Sequence, residues 1–255
     1  MGIAVAMRAH FLSRLGFLFG VATLGLSGAA FAGPPFLTDD PEPTEHGHWE
    51  IYGPFVEAEG RGGDVSGATG VELNYGALAD VQLTLELPMA YAREGGSTRA
   101  GMGDIAVSAK YRFLNNEAAG LQFAAFPGIS LPTASRSLGA GHVTAFLPVW
   151  FQKENGSWTL FGGGGYALNP GIGNRNYWSG GIAVSRKFGE RLLIGLEADR
   201  EGADSIGGQG KTMLGLGAIY DLKGPLRLLG SAGPSFEDGI HGSGFHAFLA
   251  LGIDY

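Results

Sequence analysis

The chain has 255 residues, of which 46 are Gly and 28 aromatic, none is Cys, and only 16% are Asp, Glu, Lys or Arg. The glycines keep no period of three, which excludes a collagen-like helix, and an apolar share of 45% excludes a disordered chain. A net charge of -7 without a basic cluster argues against nucleic acid as a partner, and the absence of Cys removes disulfides and thiolate metal sites.

Residues 1–32 read as a secretory signal: Arg8 and Arg14 precede the apolar run Leu15 to Leu26, and Ala30-Phe31-Ala32 supplies a small-x-small cleavage pattern before Gly33. No later apolar stretch approaches the roughly 20 residues of a spanning helix. Residues 33–47, rich in Pro and acid, form an aperiodic lead-in expected on the periplasmic side. Their cluster Asp39, Asp40, Glu42, Glu45, His46 and His48 has no fixed metal-ligand spacing, so a solvated tail or a plug folded into a lumen is the better reading.

From residue 48 onward, alternation of period two recurs and predicts strands near 48–59, 69–77, 81–91, 103–113, 119–130, 142–153, 158–168, 177–188, 191–200, 211–221, 226–234 and 244–255. In 103–113, for example, Ile105, Val107, Ala109, Tyr111 and Phe113 share one face, with Asp104, Ala106, Ser108, Lys110 and Arg112 on the other. The connections alternate, with long ones at 60–68, 92–102, 131–141, 169–176, 201–210 and 235–243 and short ones between. An even-stranded antiparallel meander with short turns at one end and long loops at the other predicts an all-β fold, a transmembrane up-and-down barrel of about twelve strands over 48–255, with periplasmic turns and extracellular loops. A lipocalin-like barrel or a sandwich explains the alternation but not the sorted loops.

Aromatic residues gather at strand ends, at Trp49, Tyr111, Phe113, Trp158, Tyr166, Tyr177, Phe188 and Tyr220, where membrane-interface girdles belong. Prolines 54, 88, 127 and 148 fall within or near strands and call for rims or bulges. The last strand alternates through Ala247, Leu249, Leu251 and Ile253 to Tyr255, a form suited to the outer-membrane assembly machinery. The expected address is therefore the outer membrane of a Gram-negative bacterium, among its lipid and lipopolysaccharide.

With a barrel argued, the sequence resembles the outer-membrane barrels grouped with the meta-pathway of phenol degradation. The residues that carry the likeness are Pro34-Pro35-Phe36-x-Thr38-Asp39-Asp40-Pro41-Glu42-Pro43, His48-Trp49-Glu50, Asn74-Tyr75-Gly76 with Val81-Gln82-Leu83, Gly103-Asp104 with Lys110-Tyr111-Arg112-Phe113, and Trp158 to Gly163. The resemblance implies a channel or uptake role for small molecules, apolar or aromatic ones among them.

Charges are too costly to face lipid at mid-depth. The expected inward set is Glu50, Glu72, Glu86, Asp104, Lys110, Arg112, Arg186, Glu197, Asp199, Arg227 and Asp254. It forms either a structural ion-pair network, with Glu72, Glu86, Asp104, Lys110 and Arg112 pairing across strands, or a selective constriction. An enzymatic alternative is an outer-membrane lipid hydrolase using His241 as base, Ser243 as nucleophile and Asp238 as orienting carboxylate; a closed structural or adhesive barrel is another. No P-loop, dinucleotide or zinc motif occurs, so no cofactor is expected. The run Gly162 to Gly165 precedes no helix and points to close packing or a bulge.

Overall fold

The computed structural model describes residues 35–135 and 137–255; the expected signal segment lies outside them. The strands are β1 (Trp49–Arg61), β2 (Asp64–Leu78), β3 (Val81–Glu94), β4 (Ser97–Met102), β5 (Ile105–Asn116), β6 (Leu121–Ala125), β7 (Gly128–Leu131), β8 (Thr144–Asn155), β9 (Trp158–Leu168), β10 (Tyr177–Phe188), β11 (Leu192–Glu201), β12 (Lys211–Asp221), β13 (Leu226–Glu237) and β14 (Gly244–Asp254). Each pairs antiparallel with its neighbour, and β14 returns to β1 from Glu50↔Asp254 to Gly60↔Phe245, so the sheet closes on itself. Because β4 with β5 and β6 with β7 are halves of two interrupted staves, the fourteen segments make a twelve-staved barrel.

The interruptions coincide with the prolines. The β1 ladder shifts register between Tyr52 and Phe55, around Pro54; Pro127 occupies the break between β6 and β7, where Phe126 N–H donates across it to Pro148 O. Pro88 O accepts Gly103 N–H where β4 passes to β5. A residue without an N–H is tolerated where the ladder is already broken.

Two connections differ from expectation. Instead of long loops at 60–68 and 92–102, the chain turns at Gly62-Gly63 and Gly95-Gly96, and β1 to β4 run on beyond their neighbours. All four glycines have positive φ (63°, 101°, 54° and 85°), so two successive glycines make a two-residue hairpin turn whose twist matches the strands. Ser97 to Arg99 are exposed on both faces, a polar pattern that fits a hairpin tip standing clear of lipid. The long connections that remain, 132–143, 169–176, 202–210 and 238–243, lie at the same end, and the other end carries only short turns.

The outer face is apolar: Leu147, Val149, Ile182, Val184, Leu196, Leu214, Leu216 and Leu249 are all exposed. Bands of aromatic residues flank it. At the short-turn end Trp49 meets Tyr75 with ring centroids 4.7 Å apart, and Tyr111, Trp158 and Phe188 are exposed at the same end on other staves; at the long-loop end Tyr166 meets Trp178 at 5.0 Å. Tyr177 instead shares inward parity with buried Ala183 and Ser185. Burying the polar residues and exposing the apolar ones inverts a water-soluble barrel and matches a wall bathed in lipid.

Candidate functional site: the lumen and its N-terminal segment

The inward positions of the staves are polar. Asn74, Gln82, Thr84, Glu86, Ser108, Lys110, Gln152, Ser185, Glu197, Asp199, Ser231 and His246 are all buried within the barrel. Through them runs the lead-in segment. Residues 36–44 enter the lumen from the short-turn end, and Phe36, Thr38, Asp39, Pro41 and Thr44 are buried there.

Four groups of contacts hold the segment. Thr44 N–H and Oγ1 both donate to Gln82 Oε1, at 2.8 and 3.1 Å, and Gln82 Nε2 in turn donates to Asn74 Oδ1. Lys110 Nζ donates to Asp39 Oδ1 at 3.1 Å and to Glu42 O at 3.3 Å, and stands 3.6 Å from Asp40. Glu197 Oε2 accepts the backbone N–H groups of Leu37 and Thr38, at 2.9 and 3.1 Å. Ser231 Oγ donates to Pro35 O. The two charged anchors are wholly inside: the side chains of Lys110 and Asp39 are 4% and 0% exposed, so each is the other's main compensation for lost water. Burial pushes the Asp39 carboxyl up to about 6, against the opposing pull of the Lys110 ammonium. Glu42 is likewise raised by burial.

Glycines shape the seat. Gly195 on β11 and Gly217 on β12 are register partners, and a Cβ on either would come within 2.6 or 2.5 Å of the Phe36 ring. A Cβ on Gly181 would strike Thr38 Oγ1. The ring also meets Phe161 edge to face at 5.5 Å. A wall without side chains on two adjacent staves thus becomes a socket for one aromatic residue.

The expected cross-strand ion network does not form as drawn. Lys110 turns to the N-terminal segment. Arg112 pairs with Asp80 in a short turn at 2.9 Å and donates to Gln122, and Asp104 accepts from the backbones of Ala134 and Ala140, tying down the 132–143 loop. Glu72 and Glu86 sit directly opposite each other, and no ion pair among the described residues reaches either. Arg227 pairs with Asp254 and stands 3.9 Å from Asp221, Glu50 accepts from Tyr52, and Asp199 is buried beside Gly181.

Arg186 is a correction. On β10 the odd residues Ala183 and Ser185 are buried, so Arg186 points out with Ile182, Val184 and Phe188. It lies at the short-turn rim, its guanidinium 5.1 Å from the rings of both Trp158 and Phe188. At that depth an outward charge costs only about 0–1 kcal/mol, so strand parity prevails over the rule that charge points inward.

Glu57 and Glu59 escaped the expected set for a related reason. The bulge at Tyr52–Phe55 shifts parity by one, so inward positions on β1 pass from Glu50 and Tyr52 to Phe55, Glu57 and Glu59. Glu59 receives Lys211 Nζ of β12 at 2.7 Å. Pro54 is the only sequence signal that foretells the shift.

The hydrolase triad is not assembled. Asp238 is held by the Arg200 guanidinium, Nη1 to Oδ1 at 3.0 Å, which keeps its carboxyl below the ordinary range. The backbone beside Ser243 is engaged by Arg61, which donates to Gly242 O. No bond links Asp238 to His241 or His241 to Ser243 among the described residues.

A closed antiparallel barrel, apolar and aromatic-banded outside and charged within, is an outer-membrane β-barrel protein. The chain belongs to the family described as "Putative MetA-pathway of phenol degradation", whose model matches residues 58–239. Among solved structures it is similar to an outer-membrane channel from Pseudomonas putida F1, at 13% identity and a TM-score of 0.66, covering 84% of this chain and 97% of that one. It also matches the CymD monoaromatic hydrocarbon channel (8% identity, TM-score 0.48, 82% of this chain and 88% of that one). A further match is outer-membrane phospholipase A from Escherichia coli (12%, 0.44, 86% and 92%). No curated protein matches the sequence significantly.

Proposed function

We propose that this protein is an outer-membrane channel for small molecules, free of covalent chemistry, whose pathway is closed at rest by residues 36–44. The observation that carries the reading is the seat of that segment. It is held in a polar lumen by an ion pair, a few hydrogen bonds and one aromatic ring in a glycine socket, rather than being a continuous part of the wall. Contacts of this kind are individually worth only a few kcal/mol and can be exchanged for water.

In this reading residues 1–32 are a cleaved export signal, the short turns face the periplasm and the long loops the exterior. The alternating last strand, with Leu249 and Tyr255 exposed on its outer face, suits recognition by the assembly machinery. Phospholipid meets the short-turn band of aromatics and lipopolysaccharide the other. Membership in a phenol-degradation family favours small aromatic solutes. Glu197, Asp199, Arg227 and Lys110 then line the pathway.

The test is single-channel conductance and liposome swelling with refolded full-length protein, compared with a variant lacking residues 33–47. Rare openings in the first and sustained conductance in the second are expected. Silence in both would leave a closed structural barrel.

A further inference from the structure

One stretch of lumen wall is left electrostatically open by the chain's own residues. Glu72 of β2 and Glu86 of β3 are register partners on the inward face, a like-charge pair that is destabilising when directly opposed. Glu57 of β1 projects inward above them, and the wall between carries the ring of Phe55 on β1 beside the small or flat residues Ala68, Gly70, Pro88 and Ala90. No ion pair among the described residues reaches any of the three; the lumen cations Lys110, Arg112, Lys211 and Arg227 are all committed elsewhere. Glu72 accepts one hydrogen bond, from the neutral amide of Asn74 at 2.8 Å. Glu86, though 92% buried by its 8% exposure, has no hydrogen-bond partner among the described residues.

The neighbouring wall is aromatic and also unfinished. Ala106 of β5, the register partner of Glu86, packs under Phe126 and Trp150, with Phe146 alongside. Trp150 is 2% exposed and Ser108, two residues along β5, is 8% exposed, yet indole Nε1 and hydroxyl Oγ both lack partners among the described residues. These two orphan groups are independent of the carboxylates and mark the same patch as incomplete. The chain already uses this wall for a cation of its own: the Lys110 ammonium lies 4.9 Å from the centre of the Phe126 ring.

Three acids and an aromatic face specify a ligand with a positive charge and apolar surface. A compact metal ion is a poor candidate, because no three His, Asp or Glu side chains of the described residues converge as a metal site. We infer that Glu57, Glu72 and Glu86, with Phe126, Trp150 and Ser108, form a lumen subsite for a small organic ammonium ion, an aromatic one preferred. The inference rests on the channel reading and gives that channel a cationic solute rather than a phenolate or carboxylate.

The probe is phenyltrimethylammonium, titrated into refolded full-length protein in detergent micelles, with tryptophan fluorescence as the readout and benzoate as the anionic comparison. A saturable change with the cation alone is expected, weakened about tenfold or more in the Glu72→Gln/Glu86→Gln variant and abolished in Trp150→Phe. Loss of the like-charge pair should not impair folding, which heat-modifiable migration checks; Glu86→Gln alone serves if the double variant fails to fold. No saturable response, equal response to benzoate, or wild-type affinity in the glutamine variants overturns the inference. Because binding is read without conductance, a protein that binds the cation but never conducts refutes the channel and leaves the subsite standing.

Discussion

Replacing Lys110 by Met should release the N-terminal segment. The pair it makes with Asp39 is fully interior, and removing one member of such a pair typically costs about 3–5 kcal/mol, because the other charge is left without water or partner. The lower end applies, since Asp39 escapes part of the penalty by protonating; burial already holds its carboxyl at about 6, and loss of the ammonium raises it further. A cost of about 3 kcal/mol corresponds to a shift of roughly a hundredfold in the docking equilibrium. That exceeds the ~1 kcal/mol net worth of either Thr44 bond to Gln82. In planar bilayers, refolded Lys110→Met should therefore spend far more time open than wild type while retaining heat-modifiable migration. Adding Asp39→Asn restores a neutral pair and should recover most of the closure. If the single variant is folded but gates as wild type does, or if the double variant is as open as the single, the ion pair is not the latch.

The Phe36 socket makes a parallel demand: Gly217→Val places atoms where the ring sits, forfeiting about 2–3 kcal/mol of burial, so open time should rise and Phe36→Ala added to it should change little. Acidification should act in the opposite direction. The Asp39 carboxyl is raised from 3.8 to about 6 on docking, so its contribution to closure is complete below 3.8 and lost as pH rises through about 6. Closed dwell time should accordingly lengthen from pH 7 to pH 5, and Asp39→Asn should weaken that dependence, leaving the part of the same sign that Glu42 supplies; a shortening would contradict the sign. On the outer wall, Ile182→Arg places a charge among lipid-facing residues and should cost about 2–4 kcal/mol in urea-monitored refolding into vesicles, unlike the native Arg186 at the rim. Ser243→Ala should leave conductance unaltered, and wild type should release no fatty acid from phospholipid micelles; measurable turnover abolished by the substitution would revive the hydrolase.

How far the sequence could be read depended on whether a feature was periodic. The staves at 158–168, 177–188 and 211–221 follow from alternation to the residue, because a wall between lipid and a polar lumen imposes period two without relief. Where one residue interrupts the period, legibility fails downstream of it: Pro54 opens a bulge, and Glu57 and Glu59 then lie on a face that unbroken counting assigns to lipid. The Gly-Gly pairs misled for a different reason, since the same dipeptide serves a slack loop or a two-residue hairpin, and only φ distinguishes them. The occupied lumen is a third kind of case. Lys110 and Glu197 were visible as inward charges, but their partners lie 71 and about 160 positions away in a segment with no period at all. Only the closed barrel brings them together. The glycine excess that first set the composition apart carried part of this information in unreadable form. Gly181, Gly195 and Gly217 each look like a weak point in a strand, and only when the three staves are set side by side does their shared lack of Cβ become the shape of Phe36 and Thr38. A plug seat of this kind is written in missing atoms, so its test is to add them one at a time.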